Sequence, residues 1–567
     1  MNWLSRRLPW ILLLASATLF FLPLGGRALW NSDEGRYAEI AREMLVLKDW
    51  VSPHLNYVLY FEKPPLMYWL TAVSFMVFGQ NEFAARFWCA AFGVLTVGLV
   101  YLIGRRWKNE QTGLIAGSVL ATSLGFFCLT QYLVLDMALT FWMTLALYAG
   151  MRILLGAPAC RQAGPPERVR RFVDLLAVAI AGGFLTKGLI ALVFPIVTLG
   201  LTIAYARLGV QARKIAWAPA LTLLAILIGP WLVLVSMKHP FFLPFFFIHE
   251  HFSRFLTTLH HRTAPFYFYL PVLFGGFLPW SVFLPKIFLS ALANRGQVMK
   301  RDPGLALFVI WSLFIFIFFS LAQSKLVGYL LPIFPALALL VGAAFQEALE
   351  EQHLPSWIQG GVVVLILLLV GGLAVLKMPR AAVLFSEPVA AAFHFRADTL
   401  SLMLGFGVFI LVGVWGMRQT WACLGGMMIV QVLLLSTLSS LAPTLDPYLS
   451  NRGLARTLAL ATKPDERIVA YSVSYEDVLQ SLPFYTGRRI VIEGNPGELE
   501  LGRQHAEDAG DWFLADPGAL DALRALPGGS WVVTSEEAAK YMKAAGSLDS
   551  LDPVAREGTL LLFHKVR

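Results

Sequence analysis

Residues 304–322 read GLALFVIWSLFIFIFFSLA, a run without a single charge. At ~1.5 Å of rise per residue, a helix of this length nearly spans the ~30 Å hydrocarbon core of a bilayer, which takes about 20 apolar residues. Comparable runs recur along the chain, and the composition agrees with them. Of 567 residues, 57% are hydrophobic and 14% charged, whereas a soluble protein carries about 25% charged residues. The 17 Trp and 42 Phe suit the aromatic belts of a membrane interface. In a soluble chain a net charge of +9 would suggest nucleic acid. In a membrane protein it is the Lys and Arg of cytoplasmic loops, so the partners to expect are membrane lipids and not nucleic acid. The sequence thus predicts an α-helical polytopic membrane protein.

Loop charge sets the orientation. Arg6 and Arg7 precede a first helix at 9–25 and place the N-terminus inside. No small-x-small cleavage site ends Met1–Leu24, so it reads as an uncleaved helix rather than a signal peptide. The later basic clusters are Arg105–Lys108, Arg152–Arg171, Arg207–Lys214, Lys286–Arg301 and Arg418. All face the cytoplasm only if the short stretch Leu66–Phe78, after Pro64-Pro65, lies along the interface. The remaining helices then run near 83–104, 112–130, 135–153, 172–186, 188–206, 215–236, 267–290, 304–322, 329–346, 357–376, 399–417 and 421–441. Together these make about thirteen crossings and put the C-terminus outside. The cysteines Cys89, Cys128, Cys160 and Cys423 have no paired spacing that would suggest disulfides or zinc.

The domain plan is therefore a transmembrane part, 1–442, with a long first outer loop at 26–82 bearing interfacial helices, and a periplasmic part, 443–567. In the latter, Arg467–Val473, Arg488–Glu493, Trp531–Thr534 and Thr559–His564 read as short strands between Ala-, Glu- and Leu-rich helices. That is a soluble α/β domain with no glycine-rich phosphate loop, and an accessory role is expected of it.

The unusual polar residues collect on the outer face of this map. In Leu29–Met44 the residues Tyr37, Ile40, Ala41 and Met44 fall on one face of an amphipathic helix with Asp33 at its start. Asp caps helices well, but Asn31 and Ser32 could do that equally. Tyr60-Phe61-Glu62-Lys63-Pro64-Pro65 sets an ion pair on a proline-stiffened backbone, and Lys63 is a point charge suited to a lipid phosphate. Asp136 stands at the outer end of an apolar helix, where an acid is costly without a partner and is functional by default. Further cations and histidines come from Thr186-Lys187-Gly188, His249-Glu250-His251 through Arg254, His260-His261-Arg262, and Ser324-Lys325 through Tyr329. Snorkelling explains any one of these but explains poorly so many on one face. His249-Glu250-His251 is not the zinc-protease pattern. With Glu62, His249 and His251 are the residues that could hold a divalent metal, though hydrogen-bonding histidines are the blander alternative. No cofactor is otherwise implied.

Taken in order, Asp33–Ile40, Tyr60–Pro64, Thr186–Gly188, Glu250–Phe255 and Lys325–Pro332 resemble the GT-C class of polyprenyl-phosphate-dependent glycosyltransferases, and more closely its lipid A aminoarabinose transferases. The likeness covers the transmembrane two-thirds and is weak in the C-terminal part; Gly35 stands where the family pattern has Thr. It implies transfer of 4-amino-4-deoxy-L-arabinose from undecaprenyl phosphate to a phosphate of lipid A, at the outer face of a bacterial inner membrane, with resistance to polymyxin as the outcome. It implies catalytic roles for Asp33 and Asp136, and substrate binding by Arg36, Tyr37, Tyr60, Lys63, Lys187, Arg254, Lys325 and Tyr329. Two other readings remain: a protein O-mannosyltransferase-like enzyme, and a non-catalytic lipid transporter. A transporter would show internal repeats and midplane polar sites, and the sequence shows neither.

Overall fold

The computed structural model describes residues 7–156, 166–207, 217–253, 264–292, 297–351, 353–377, 387–475, 479–514, 527–544, 546–548 and 550–565. By contact the chain falls into two units, one comprising Met1–Pro23, Phe87–Met378 and Asp398–Leu438, the other Leu24–Arg86, Pro379–Ala397 and Ser439–Arg567.

The first unit is helical. Among the described residues eight helices are long and apolar enough to cross a membrane, ten if each of two bent pairs is one span. Every stretch to which the sequence assigns a crossing contains helix. Leu8–Phe21 and Ile190–Tyr205 are shorter than a full span, and Pro166–Lys187 carries a charged first half. Both bends fall at breaks in the helix: Glu110–Ala121 turns by 66° into Leu124–Thr130, and Phe266–Gly276 by 112° into Trp280–Leu292. Pro279 stands in the second break and supplies no backbone N–H to continue the ladder. Helix starts follow local chemistry. Asn109 accepts from Thr112 N at 2.9 Å, and Asp302 accepts from Leu305 N at 3.0 Å with Pro303 next in line, the preferred N-terminal pairing.

The second unit joins the first loop to the C-terminal part, which chain order alone keeps apart. Its sheet has the order β5-β4-β3-β6-β8-β7. The strands β3 (Ile468–Tyr471), β4 (Ile490–Glu493), β5 (Phe513–Leu514) and β6 (Trp531–Ser535) run parallel. The strands β7 (Leu551–Glu557) and β8 (Leu560–Lys565) complete it antiparallel. The four strands expected from sequence are all present. β5 is two residues long, and β7 is an edge strand carrying Pro553 and a largely exposed polar pattern; neither has the apolar alternation that reveals a strand. The first loop adds a hairpin, β1 (His54–Leu55) and β2 (Val58–Leu59). Its two turn residues, Asn56 and Tyr57, both have positive φ, as a tight hairpin turn requires. Asn56 also pairs with the main chain of Ile490, donating at 2.9 Å and accepting at 2.8 Å, which docks the hairpin on the sheet. Leu66–Phe78 is a helix of 13 residues, ~20 Å long and too short for the bilayer core. One face is buried through Tyr68, Ala72 and Phe75, while Met76 and Val77 are exposed, the division expected of a helix lying on a membrane.

Candidate active site

In the helical unit the site is built around Asp136, in the first turn of Leu135–Gly156, where the helix dipole favours an anion. That helix packs against Pro166–Lys187 through Ala146, Ala149, Ile153, Val173, Leu176 and Ile180. This brings Lys187, the last residue of its helix, to 2.6 Å from Asp136 Oδ1. Both side chains are largely buried. The segment after residue 321 closes the other side. Gly328 lies so near that a Cβ there would stand 3.1 Å from Asp136 Cγ and Oδ2, and the Tyr329 ring covers Lys187 at 4.7 Å. That segment is pinned at both ends. Tyr269 Oη accepts from Leu326 N at 3.1 Å and donates to Leu326 O at 3.2 Å, while Trp311 donates to Pro332 O at 2.8 Å. Lys325 is buried and donates to Ala322 O at 2.5 Å, so the fold places it as a tether of the segment. Asp136, Lys187 and Tyr329, chosen from three separate sequence stretches, thus form one cluster.

In the other unit the helix Asp33–Leu47 begins at Asp33 itself, after Ser32, which makes no side-chain cap. Asp33 is about a third exposed and forms an ion pair with Arg36. Arg36 is buried and is also paired with Glu498. Burial disfavours its charge, but Glu498 beside it holds the guanidinium's pKa well above the ordinary value. Tyr60 donates to Glu498 at 3.0 Å, and the Tyr37 ring lies 5.0 Å from the Arg36 guanidinium. Burial pushes both phenols well up, so they stay neutral. Lys63 donates to Glu62 O at 2.9 Å and sits 3.7 Å from the Glu62 carboxylate.

Beneath this cluster lies a network that sequence reasoning missed. Glu34 is wholly buried and accepts from Arg27 at 2.5 Å, from Arg86 at 2.6 and 2.9 Å, and from Trp30 N at 2.9 Å. Arg86 spends its other donors on the carbonyls of Leu24, Arg27 and Ala28, at 2.6–3.0 Å. Burial pushes the Glu34 carboxyl up, but Arg27 and Arg86 outweigh it and hold the pKa down at about 2. The available signal was an arginine within the first turns of the apolar helix Glu82–Trp107, a position where a charge is rarely idle. Glu498 gave no signal, standing 462 residues from Arg36.

His249 and Glu250 lie in the helical unit, with His249 Nδ1 3.5 Å from the Glu250 carboxylate, whereas Glu62 belongs to the other unit. Among the described residues no three His, Cys, Asp or Glu side chains gather to hold a metal. The side chain of His251 and the residues Arg254, Phe255, His260, His261 and Arg262 lie outside the described residues.

Many apolar spans with buried ion pairs at their ends are the frame of a membrane glycosyltransferase of the GT-C class, and comparison with known proteins agrees. The family described as dolichyl-phosphate-mannose-protein mannosyltransferase matches residues 10–246. A crystal structure of ArnT from Cupriavidus metallidurans bound to undecaprenyl phosphate shares the fold, with a TM-score of 0.83, 24% identity, and coverage of 98% of this chain and 97% of that one. The undecaprenyl phosphate-alpha-4-amino-4-deoxy-L-arabinose arabinosyl transferase of Aeromonas salmonicida is 33% identical over 76% of this chain and 74% of its own length. The chain belongs to that arabinosyl transferase family. The relative of the same description from Pectobacterium carotovorum is 37% identical, but the match spans 59% of this chain and 58% of that relative, less than two thirds of its length.

Proposed function

We propose that this chain moves 4-amino-4-deoxy-L-arabinose from undecaprenyl phosphate to a phosphate of lipid A, at the periplasmic face of the bacterial inner membrane. The observation that carries the reading is the family membership, over 74% of the length of a relative described as such a transferase. The undecaprenyl phosphate bound to the Cupriavidus ArnT supports the choice of donor.

The chemistry suits the residues. An oxygen of the acceptor phosphate attacks the anomeric carbon, and the bond from that carbon to the donor phosphate oxygen breaks. Undecaprenyl phosphate departs with the electron pair, and the anomeric centre inverts, as in a single displacement at a glycosidic carbon. The acceptor is already an anion near neutral pH, so no general base is required. What is required is stabilisation of charge that develops in the transition state. Asp136, fixed by Lys187 at 2.6 Å, is assigned to the positive charge on the sugar ring or to its ammonium group. Asp33, oriented by Arg36, is assigned to orienting the acceptor. Lys63 is assigned to a phosphate, with Arg254 and Lys187 as further cations. Arg36 itself, held between Asp33 and Glu498, is a positioning residue. A divalent metal would fall to Glu62, His249 or His251, and titration with a chelator tests that role.

The product would carry an extra cation and hold polymyxin and similar peptides less strongly. Incubating the purified protein with undecaprenyl-phosphate aminoarabinose and lipid A, and weighing the products, tests the proposal. Lipid A heavier by one aminoarabinose is the expected result. Unchanged lipid A, with sugar appearing instead on a protein hydroxyl, would transfer the assignment to the mannosyltransferase reading.

A further inference from the structure

Apart from the carboxylate clusters, the helical unit contains a cavity of about 240 Å³ built from helix ends. Trp107 closes the helix Glu82–Trp107, and Lys108 follows it. Asp302 caps Pro303–Leu321, Glu347 lies in the last turn of Phe334–Leu349, and Trp357 opens Ser356–Lys377. Lys286 enters from Leu284–Leu292. Loop charge reads these ends as the cytoplasmic ones.

Part of the lining is a fixed frame. Asp302 accepts from Trp107 at 2.9 and 3.1 Å and from Leu305 N at 3.0 Å. Lys108 lies between Asp302 at 3.4 Å and Glu347 at 3.9 Å. Two lining charges stand outside this frame. Lys286 and Glu351 are exposed, and among the described residues neither makes an ion pair. The same lining includes the apolar Ile287, Leu305 and Leu340 and the aromatic Trp357. The lining carries three carboxylates and two ammonium groups, so a simple anion meets net repulsion. A simple cation would leave Lys286 unanswered. A zwitterion of cavity size answers both, with its phosphate on Lys286 and its ammonium between Glu351 and the Trp357 ring, an arrangement that also gains from cation–π attraction. Val298 in the lining and Leu289 and Leu292 on the same helix as Lys286 are exposed, apolar surface of the kind an acyl chain covers.

We infer that this cavity is a lipid site that takes the phosphoethanolamine headgroup of a membrane phospholipid. The full-length protein, purified in detergent, is titrated with equal amounts of dioleoyl phosphatidylethanolamine and dioleoyl phosphatidylglycerol and examined by native mass spectrometry. Wild type should retain the ethanolamine lipid at least fivefold over the glycerol lipid. Lys286→Ala should lose retention of both, and Glu351→Gln should keep the phosphate contact and shift toward the glycerol lipid. Both positions are exposed, and unchanged melting of each variant confirms that it is folded. Equal retention of the two lipids by wild type, or an unchanged preference in both variants, overturns the inference. Soluble glycerophosphoethanolamine should fail to displace the lipid at tenfold excess; displacement would make the site one for a free metabolite and refute the lipid assignment.

Discussion

The network around Glu34 makes a demanding prediction, because its energetics can be worked from the structure. Arg86→Met removes two contacts to Glu34, at 2.6 and 2.9 Å, and takes a donor from the carbonyls of Leu24, Arg27 and Ala28, of which Ala28 keeps Arg27 at 3.1 Å. Glu34 keeps only Arg27 as a cation. Removing one partner of a buried pair costs about 3–5 kcal/mol. At roughly 2–4 °C per kcal/mol for a unit of this size, the melting point should fall by roughly 10 °C. A second estimate comes from protonation. The ordinary Glu pKa of 4.5 drops to about 2 in the fold, and each pKa unit is worth about 1.4 kcal/mol, so ionised Glu34 contributes about 3 kcal/mol. Since the folded pKa is the lower one, that contribution is complete above pH 4.5 and is lost as the pH falls toward 2. The assay is thermal unfolding of the detergent-solubilised protein, followed by tryptophan fluorescence from pH 7 to pH 3. Wild type should lose stability below pH 4.5 more steeply than Glu34→Gln, which has no carboxylate to protonate. If Arg86→Met melts within 2 °C of wild type, or if Glu34→Gln shows the same acid slope, the network does not hold the loop as argued.

The remaining predictions concern the site and its placement. Asp136→Asn and Asp33→Asn should each lower turnover ~100-fold or more while the proteins remain folded in the membrane, and near-normal turnover in both would make these carboxylates structural. Lys63→Ala should weaken undecaprenyl phosphate binding about tenfold, read by titration, and should also lower the melting point, because its pair with Glu62 is largely buried and the change leaves a buried carboxylate unanswered; equal affinity would remove Lys63 from the phosphate site. Gly35→Thr should destabilise the loop unit by ~3 kcal/mol or more, since a Cβ at position 35 would stand 2.4 Å from Ser481 N; wild-type melting of that variant would show that the 480–481 backbone can yield. A periplasm-active reporter fused after Arg567 should be active, as the loop charges require, and cytoplasmic activity would overturn the orientation.

By itself the sequence determined the class of fold, the helical stretches and most of the strands. Each of these depends on local periodicity: long uncharged runs for a bilayer, and short apolar runs between turn residues for a sheet. Asp136 and Lys187 stood out in the sequence because a charge at the end of an apolar helix is costly and therefore noticeable, while Asp33 and Tyr329 stood out only as parts of polar stretches on one membrane face. What the tertiary structure decided was the pairing. Only packing brings Lys187 to Asp136 across 51 residues, or Glu498 to Arg36 across 462, and no periodicity encodes a partner at that distance. The same holds for Gly35. In the sequence it is a departure from the family's threonine. In the fold it is the position where the backbone of Gln480 and Ser481 leaves no room for a side chain. The reason is general: local chemistry fixes which element a segment forms, but which charges neutralise one another is settled by burial, and burial exists only once distant elements have packed.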